Sequence, residues 1–133
     1  LEAFDATMAL VRPCYFMTFN DVLTLKGKTI EGDSPEDAML LESILGEYKE
    51  DVYNVRVLVV DDVGKEHTST SGWQKNMLHH VLRTRFNNGL PTIVTTNVKL
   101  DSWDATYGPA TQSFAAEAFA HVILKSTRGD LRR

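Results

Sequence analysis

Asp61 and Asp62 stand side by side at the carboxyl end of an apolar run, Val55-Arg56-Val57-Leu58-Val59-Val60. Two adjacent carboxylates at such a place can hold the water shell of a hard divalent cation and polarise a further water. The plainer alternative is a strand that ends in a solvated acidic turn. A second run, Leu90-Pro91-Thr92-Ile93-Val94-Thr95-Thr96-Asn97, gathers hydroxyls and an amide at its own far end. If the two runs are neighbouring strands, Asp61, Asp62 and Asn97 share one sheet edge. Ligands of open α/β sheets bind beyond that edge.

The intervening chain has to put the runs there. β-branched residues dominate both, as suits buried parallel strands. Ser71 to Asn88 reads as one helix. Met77, Leu78, Val81, Leu82 and Phe86 recur in it at three- and four-residue spacing, and Asn87-Asn88-Gly89 tolerates the left-handed geometry of a helix end. Strand, helix, strand in that order predicts a right-handed βαβ crossover and adjacent parallel strands.

Upstream, Leu1 to Val11 reads as a helix with Leu1, Phe4, Met8 and Val11 on one face, stopped by Arg12-Pro13. Cys14 to Phe19 reads as a strand with Cys14 as buried filler, and Asn20-Asp21 caps a short element after it. Gly27-Lys28-Thr29 matches the tail of a phosphate-binding loop, but Val22 stands where that pattern needs a glycine. Ile30-Glu31-Gly32-Asp33-Ser34-Pro35, which follows, reads as no helix, so the segment is expected to be a turn or hairpin-like loop. Ser34-Pro35-Glu36-Asp37 has the chemistry of a helix start, with Ser34 as N-cap and acids in the first turn. That helix runs to about Glu50, with Met39, Leu40, Ile44, Leu45 and Tyr48 as its apolar stripe.

Composition sets outer bounds. A chain of 133 residues supports one domain, 1–133, with a real core. The single cysteine excludes an internal disulfide and fits a reducing compartment. No apolar run is long enough to span a bilayer. A formal net charge of -4 argues against a broad nucleic-acid surface but leaves room for a local basic strip. His67, His79, His80 and His121 have no cysteine or acid at metal-ligand spacing.

Over Val57 to Asn97 a set of features falls in one order: Asp61-Asp62, Val63-Gly64-Lys65-Glu66, Arg85-Phe86 at a helix end, Gly89-Leu90-Pro91-Thr92 and Thr96-Asn97. This stretch resembles the middle of the DnaC/DnaI-type helicase loaders of bacteria and phages, which are AAA+ ATPases. The resemblance implies an α/β P-loop NTPase fold (AAA+ or RecA-like), a three-layer sandwich with a mostly parallel sheet. It implies ATP and magnesium as cofactors, a replicative DNA helicase as partner, self-association, proximity to single-stranded DNA and a cytoplasmic setting. It also implies that the chain begins just past the Walker A loop, whose strand is absent.

The family likeness assigns roles as well. Asp61 corresponds to the residue that holds magnesium through water, and Asp62 to the one that orients or deprotonates the attacking water. Asn97 corresponds to the sensor that positions that water or reports on the terminal phosphate, with a strand-end turn as its plainer reading. Thr96 belongs to the nucleotide site, and Thr95 and Thr96 read as half strand, half site wall. An aspartate at 62, where AAA+ proteins usually carry glutamate, suits a slow switch. Lys65 and Glu66 read either as contacts to a neighbouring subunit or as a solvated pair.

The last third departs from the pattern. Loaders carry a helix with an arginine that reaches the next subunit's nucleotide. In the comparable segment, Gly108 to Glu117, Ser113 and Glu117 fit, while Phe114 takes the arginine's place and Ala110 another usually basic one. This implies feeble ATPase activity or a finger from elsewhere. Phe114, Ala118 and Phe119 are expected to pack on the sheet, and Ala120 to Leu124 reads as the last strand. The basic end, Lys125 to Arg133, contains Gly129-Asp130-Leu131-Arg132, similar to the family's finish. Arg128, Arg132 and Arg133 read as a solvated tail or as contacts. Trp73 and Trp103 read as core or rim packing, with stacking on DNA bases as the alternative. Three functions stay in view: a weakly hydrolysing helicase loader, a non-hydrolysing adaptor of the same fold, and an IstB-type transposition ATPase. Asp62 followed by Gly-Lys-Glu favours the first over the last.

Overall fold

Three short strands, all parallel, make the sheet of the computed structural model, which describes residues 11–32, 34–65 and 72–119. They are β1 (Cys14–Thr18), β2 (Val57–Val63) and β3 (Thr92–Thr96), in the order β1-β2-β3. The helices are α1 (Phe19–Glu31), α2 (Pro35–Leu45), α3 (Gly72–Asn87), α4 (Trp103–Tyr107) and α5 (Pro109–Ala118). β2, α3 and β3 form the expected crossover, with Leu58 opposite Thr92 and Val60 opposite Val94. The expected helix before Val11, the strand Ala120 to Leu124, the basic end, Glu66 and His67 all lie outside the described residues.

Strand alternation decides what is buried. Met17, Leu58 and Val60 point into the core, and Val94 packs against it. The opposite face carries a cross-strand row, Phe16–Val59–Ile93, whose outer members are 62% and 53% exposed. Cys14 shares that face with Phe16, so it is exposed rather than buried filler.

The helices correct the sequence reading in two places. Gly27-Lys28-Thr29 and the following Ile30 and Glu31 are helical, not a turn, and α1 is a full helix rather than a short element. Thr18 caps it by accepting from the Asp21 N–H at 3.0 Å, and burial of Phe19, Val22, Leu23 and Leu25 outweighs the poor helix propensity of Gly27. α2 stops at Leu45 instead of about Glu50. Gly46 takes a left-handed φ of 77°, and the Glu47 N–H returns to the Glu42 carbonyl while the Gly46 N–H reaches that of Ser43. These two bonds close a Schellman end. Its N-cap is Ser34, as expected, accepting from the Asp37 N–H at 3.3 Å. Phe114 meets His79 and Phe86 of α3 and, with Ala118 and Phe119, lines a cavity that Pro91 and Thr92 at the start of β3 also line.

α3 ends as its sequence indicates, with Leu90 N–H on the Arg85 carbonyl, Gly89 N–H on that of Phe86, and Gly89 at φ 68°. Its last-turn Arg85 is wholly buried. The guanidinium donates to the carbonyls of Ile44 (2.7 Å), Val55 (2.9 Å), Arg56 (3.2 Å) and Pro91 (2.9 Å), and to Thr92 Oγ1 (2.8 Å). One side chain thereby ties the end of α2 to the lead-in of β2 and of β3. The carbonyls of Val55, Arg56 and Pro91, just ahead of the two strands, are thus partnered by Arg85, and that of Pro91 also accepts from the Leu58 N–H of β2 at 3.3 Å.

Candidate functional site

The carboxyl ends of β2 and β3 meet at an irregularity. Val60 lies opposite Val94 and Val63 opposite Thr96, so three steps along β2 match two along β3. The extra residue is a β-bulge, a device that re-aims side chains at a strand's end. Asp61 and Asp62 occupy it. Asp62 adopts φ 56°, the sole non-glycine residue with positive φ among those described. Aspartate tolerates this left-handed region better than most residues, yet such backbone is uncommon and clusters at functional sites.

Thr95 holds the bulge from the neighbouring strand. Its hydroxyl donates to Asp61 Oδ1, and its oxygen accepts from the Asp62 N–H at 3.0 Å. Beyond the bulge the chain turns back, with the Lys65 N–H on the Asp62 carbonyl at 3.1 Å and Gly64 at φ 103°. A Cβ on Gly64 would lie 2.5 Å from Val98 Cγ2, so glycine is required for the loops after β2 and β3 to touch. Lys65 Nζ sits 3.6 Å from Asp62 Oδ1, a half-exposed pair of little energetic weight.

Thr96 and Asn97 follow on the same edge. The Thr96 hydroxyl donates to the Val63 carbonyl at 2.6 Å and accepts from the Val98 N–H at 3.0 Å, so it is spent largely on shaping the loop. Asn97 is exposed, and its side chain makes no hydrogen bond among the described residues. The loop that carries it is anchored from beyond: buried Trp103 donates its indole N–H to the Val98 carbonyl at 3.2 Å, and Gln112 Nε2 reaches the Leu100 carbonyl at 3.1 Å. Asp61, Asp62, Thr95, Thr96 and Asn97 therefore sit at one edge of the sheet. Sequence reasoning undervalued Thr95, because its importance depends on a bulge that no local pattern announces. Trp103 was legible as a packing residue, but not as the anchor of the Asn97 loop; Trp73 lies at the rim, 37% exposed.

The donors fit magnesium. They are oxygens, as a hard cation prefers, and no group of three His, Cys, Asp or Glu among the described residues could cage a metal unaided. Magnesium keeps several waters and takes one or two carboxylates plus phosphate oxygens. Asp61, with one carboxylate oxygen on Thr95 and the other without a hydrogen bond among the described residues, suits that use.

The parallel sheet with its crossover, bearing acids at the strand tips, is the P-loop NTPase type of α/β fold. It is shared with a solved structure, "Crystal structure of the DnaC helicase loader", which is 24% identical with a TM-score of 0.57 over 77% of this chain and 56% of that chain. The chain thus spans little more than half the length of that structure. Residues 41–124 match the family described as IstB-like ATP binding protein. The chain belongs to that family. No curated protein matches it. No helix among the described residues is long and apolar enough to cross a membrane.

Proposed function

We propose that this chain is the magnesium- and ATP-binding core of a helicase-loader-like protein that hydrolyses ATP slowly and acts on a replicative DNA helicase. The observation that carries the reading is the shared edge of β2 and β3, where Asp61 and Asp62 sit on a bulge beside Thr95 and Asn97. Membership of an ATP-binding family supports the nucleotide. Likeness of fold to the DnaC helicase loader supports the partner.

Asp61 would hold magnesium through its waters, and that ion would neutralise phosphate charge. Asp62, about half exposed at the tip, orients or deprotonates the attacking water. Asn97 offers an amide to the same water or to the terminal phosphate. Thr96 contributes by fixing the loop that carries Asn97. Phe114, in the place of an expected arginine, is buried against α3 and offers no charge to a neighbouring nucleotide, which supports slow hydrolysis. Self-association, single-stranded DNA nearby and a cytoplasmic setting belong to the same proposal.

Calorimetry of the full-length protein with ATP and magnesium tests the nucleotide. Saturable binding is expected, and a folded protein that binds none contradicts the proposal. The matched family description favours a second reading, an IstB-type ATPase of transposition. Co-purification with a replicative helicase, and not with a transposase, separates the two.

A further inference from the structure

Asp61 and Asp62 cannot both be served by one ordinary strand neighbour. A carboxylate only accepts hydrogen bonds, and a backbone N–H only donates. A hydroxyl can answer both at once, and Thr95 does: its proton goes to Asp61 Oδ1 and its lone pair to the Asp62 N–H. The arrangement fixes the direction of that hydroxyl without ambiguity. It also leaves the second Asp61 oxygen and the Asp62 carboxylate for other work. On the other flank of Asp61 its register partner is Thr18, whose hydroxyl accepts from the Asp21 N–H as the cap of α1.

We infer that Thr95 is a positioning residue, whose hydroxyl locks the Asp61 carboxylate and the left-handed Asp62 backbone into one geometry. The bulge makes the contact: because β2 gains a residue there, one β3 side chain faces two consecutive acids. Without the hydroxyl, Asp62 at φ 56° loses the bond that compensates its unfavourable backbone, and Asp61 becomes free to rotate. The functional consequence rests on the nucleotide reading above; the mechanical role of Thr95 does not.

Thr95→Val and Thr95→Ser make the test, because they split shape from chemistry. Valine keeps the β-branched shape and loses the hydroxyl; serine keeps the hydroxyl and loses the methyl. If Thr95 were only a strand residue, valine would be harmless and serine the worse change. The positioning role reverses that order. In nucleotide-free protein, amide hydrogen exchange at Asp62 should accelerate roughly fivefold or more in Thr95→Val, the worth of one hydrogen bond, and stay near wild type in Thr95→Ser. Magnesium-dependent ATP affinity or turnover should fall roughly 10- to 100-fold in the valine variant, the usual effect of losing an orienting partner, with rescue by serine. In an Asp61→Ala background, the affinity loss caused by Thr95→Val should largely vanish, since the carboxylate that Thr95 orients toward the ion is gone and its remaining bond, to the Asp62 N–H, bears on turnover. Valine behaving as wild type, or serine losing as much as valine, overturns the inference; if the valine variant does not fold, the serine arm still decides it. Wild-type protein that binds no nucleotide defeats the functional reading instead, while the exchange measurement still judges Thr95.

Discussion

Arg85 carries a full charge into the middle of the molecule, and its five hydrogen bonds run to four carbonyls and a hydroxyl rather than to an acid. Burial lowers its guanidinium below the ordinary arginine value, to about 10, which leaves it charged at neutral pH. Since the folded value lies below the unfolded one, folding disfavours the charge at every pH below about 10, and the pH slope appears only above that. Arg85→Lys supplies at most three donors, without the planar fork, to five acceptors. We expect a loss of about 3 kcal/mol, the scale of leaving one or two buried acceptors unpaired. Urea unfolding should give the same loss at pH 5.5 and pH 8, and a loss below about 1 kcal/mol would show that the carbonyls find other partners. Asp62 yields a second prediction. Its left-handed backbone makes alanine a strained replacement, whereas asparagine tolerates that region and removes only the charge. On the role proposed for Asp62, which concerns water, Asp62→Asn should slow ATP turnover by about a hundredfold and leave nucleotide affinity within about threefold. Equal losses in affinity and turnover would place Asp62 on the nucleotide instead.

At the scale of elements, what was legible in the sequence had a local cause. The helix start at Ser34, the α3 end at Gly89 and the β2–α3–β3 crossover follow from caps, periodicity and β-branched runs that act within a few residues. What was not legible depended on the rest of the chain. Gly27-Lys28-Thr29 became helical because its neighbours Val22, Leu23 and Leu25 are buried, and the bulge at Asp61-Asp62 exists only against β3. Gly46 was a helix-end signal in plain view, but the later apolar residue Tyr48 extended the stripe past it. Two glycines test this account in opposite directions. Gly27 lies inside α1 with nothing within 4 Å of an added Cβ, so Gly27→Ala should stabilise the protein by about 0.5–1 kcal/mol. Gly64→Ala would meet Val98 at φ 103° and should destabilise it by about 1–3 kcal/mol. Thermal unfolding of both variants is the measurement. A destabilising Gly27→Ala would return that segment to the turn first expected of it.

Asp61 and Asp62 lie where two parallel strands end together, and a ligand bound there would act on the whole molecule. β2 and β3 are joined through Arg85 at one end and through Thr95 and Thr96 at the other. A ligand held across the second end therefore stabilises the strand pair that the first end already ties to α2. Anything that binds the folded state alone raises stability by mass action, about 2.7 kcal/mol at a hundred times its dissociation constant. For a domain of this size that is a rise in melting temperature of roughly 10 °C. ATP with magnesium should produce such a rise in the full-length protein. ATP with excess chelator should produce clearly less, since four phosphate charges would then face Asp61 and Asp62 with no cation between them. On the proposed role of Asp61, Asp61→Asn should erase most of the difference between the two conditions, because the waters of the ion would lose their acceptor. An equal rise with and without magnesium would mean that the nucleotide is held away from this edge, and the acids at the strand tips would need another explanation.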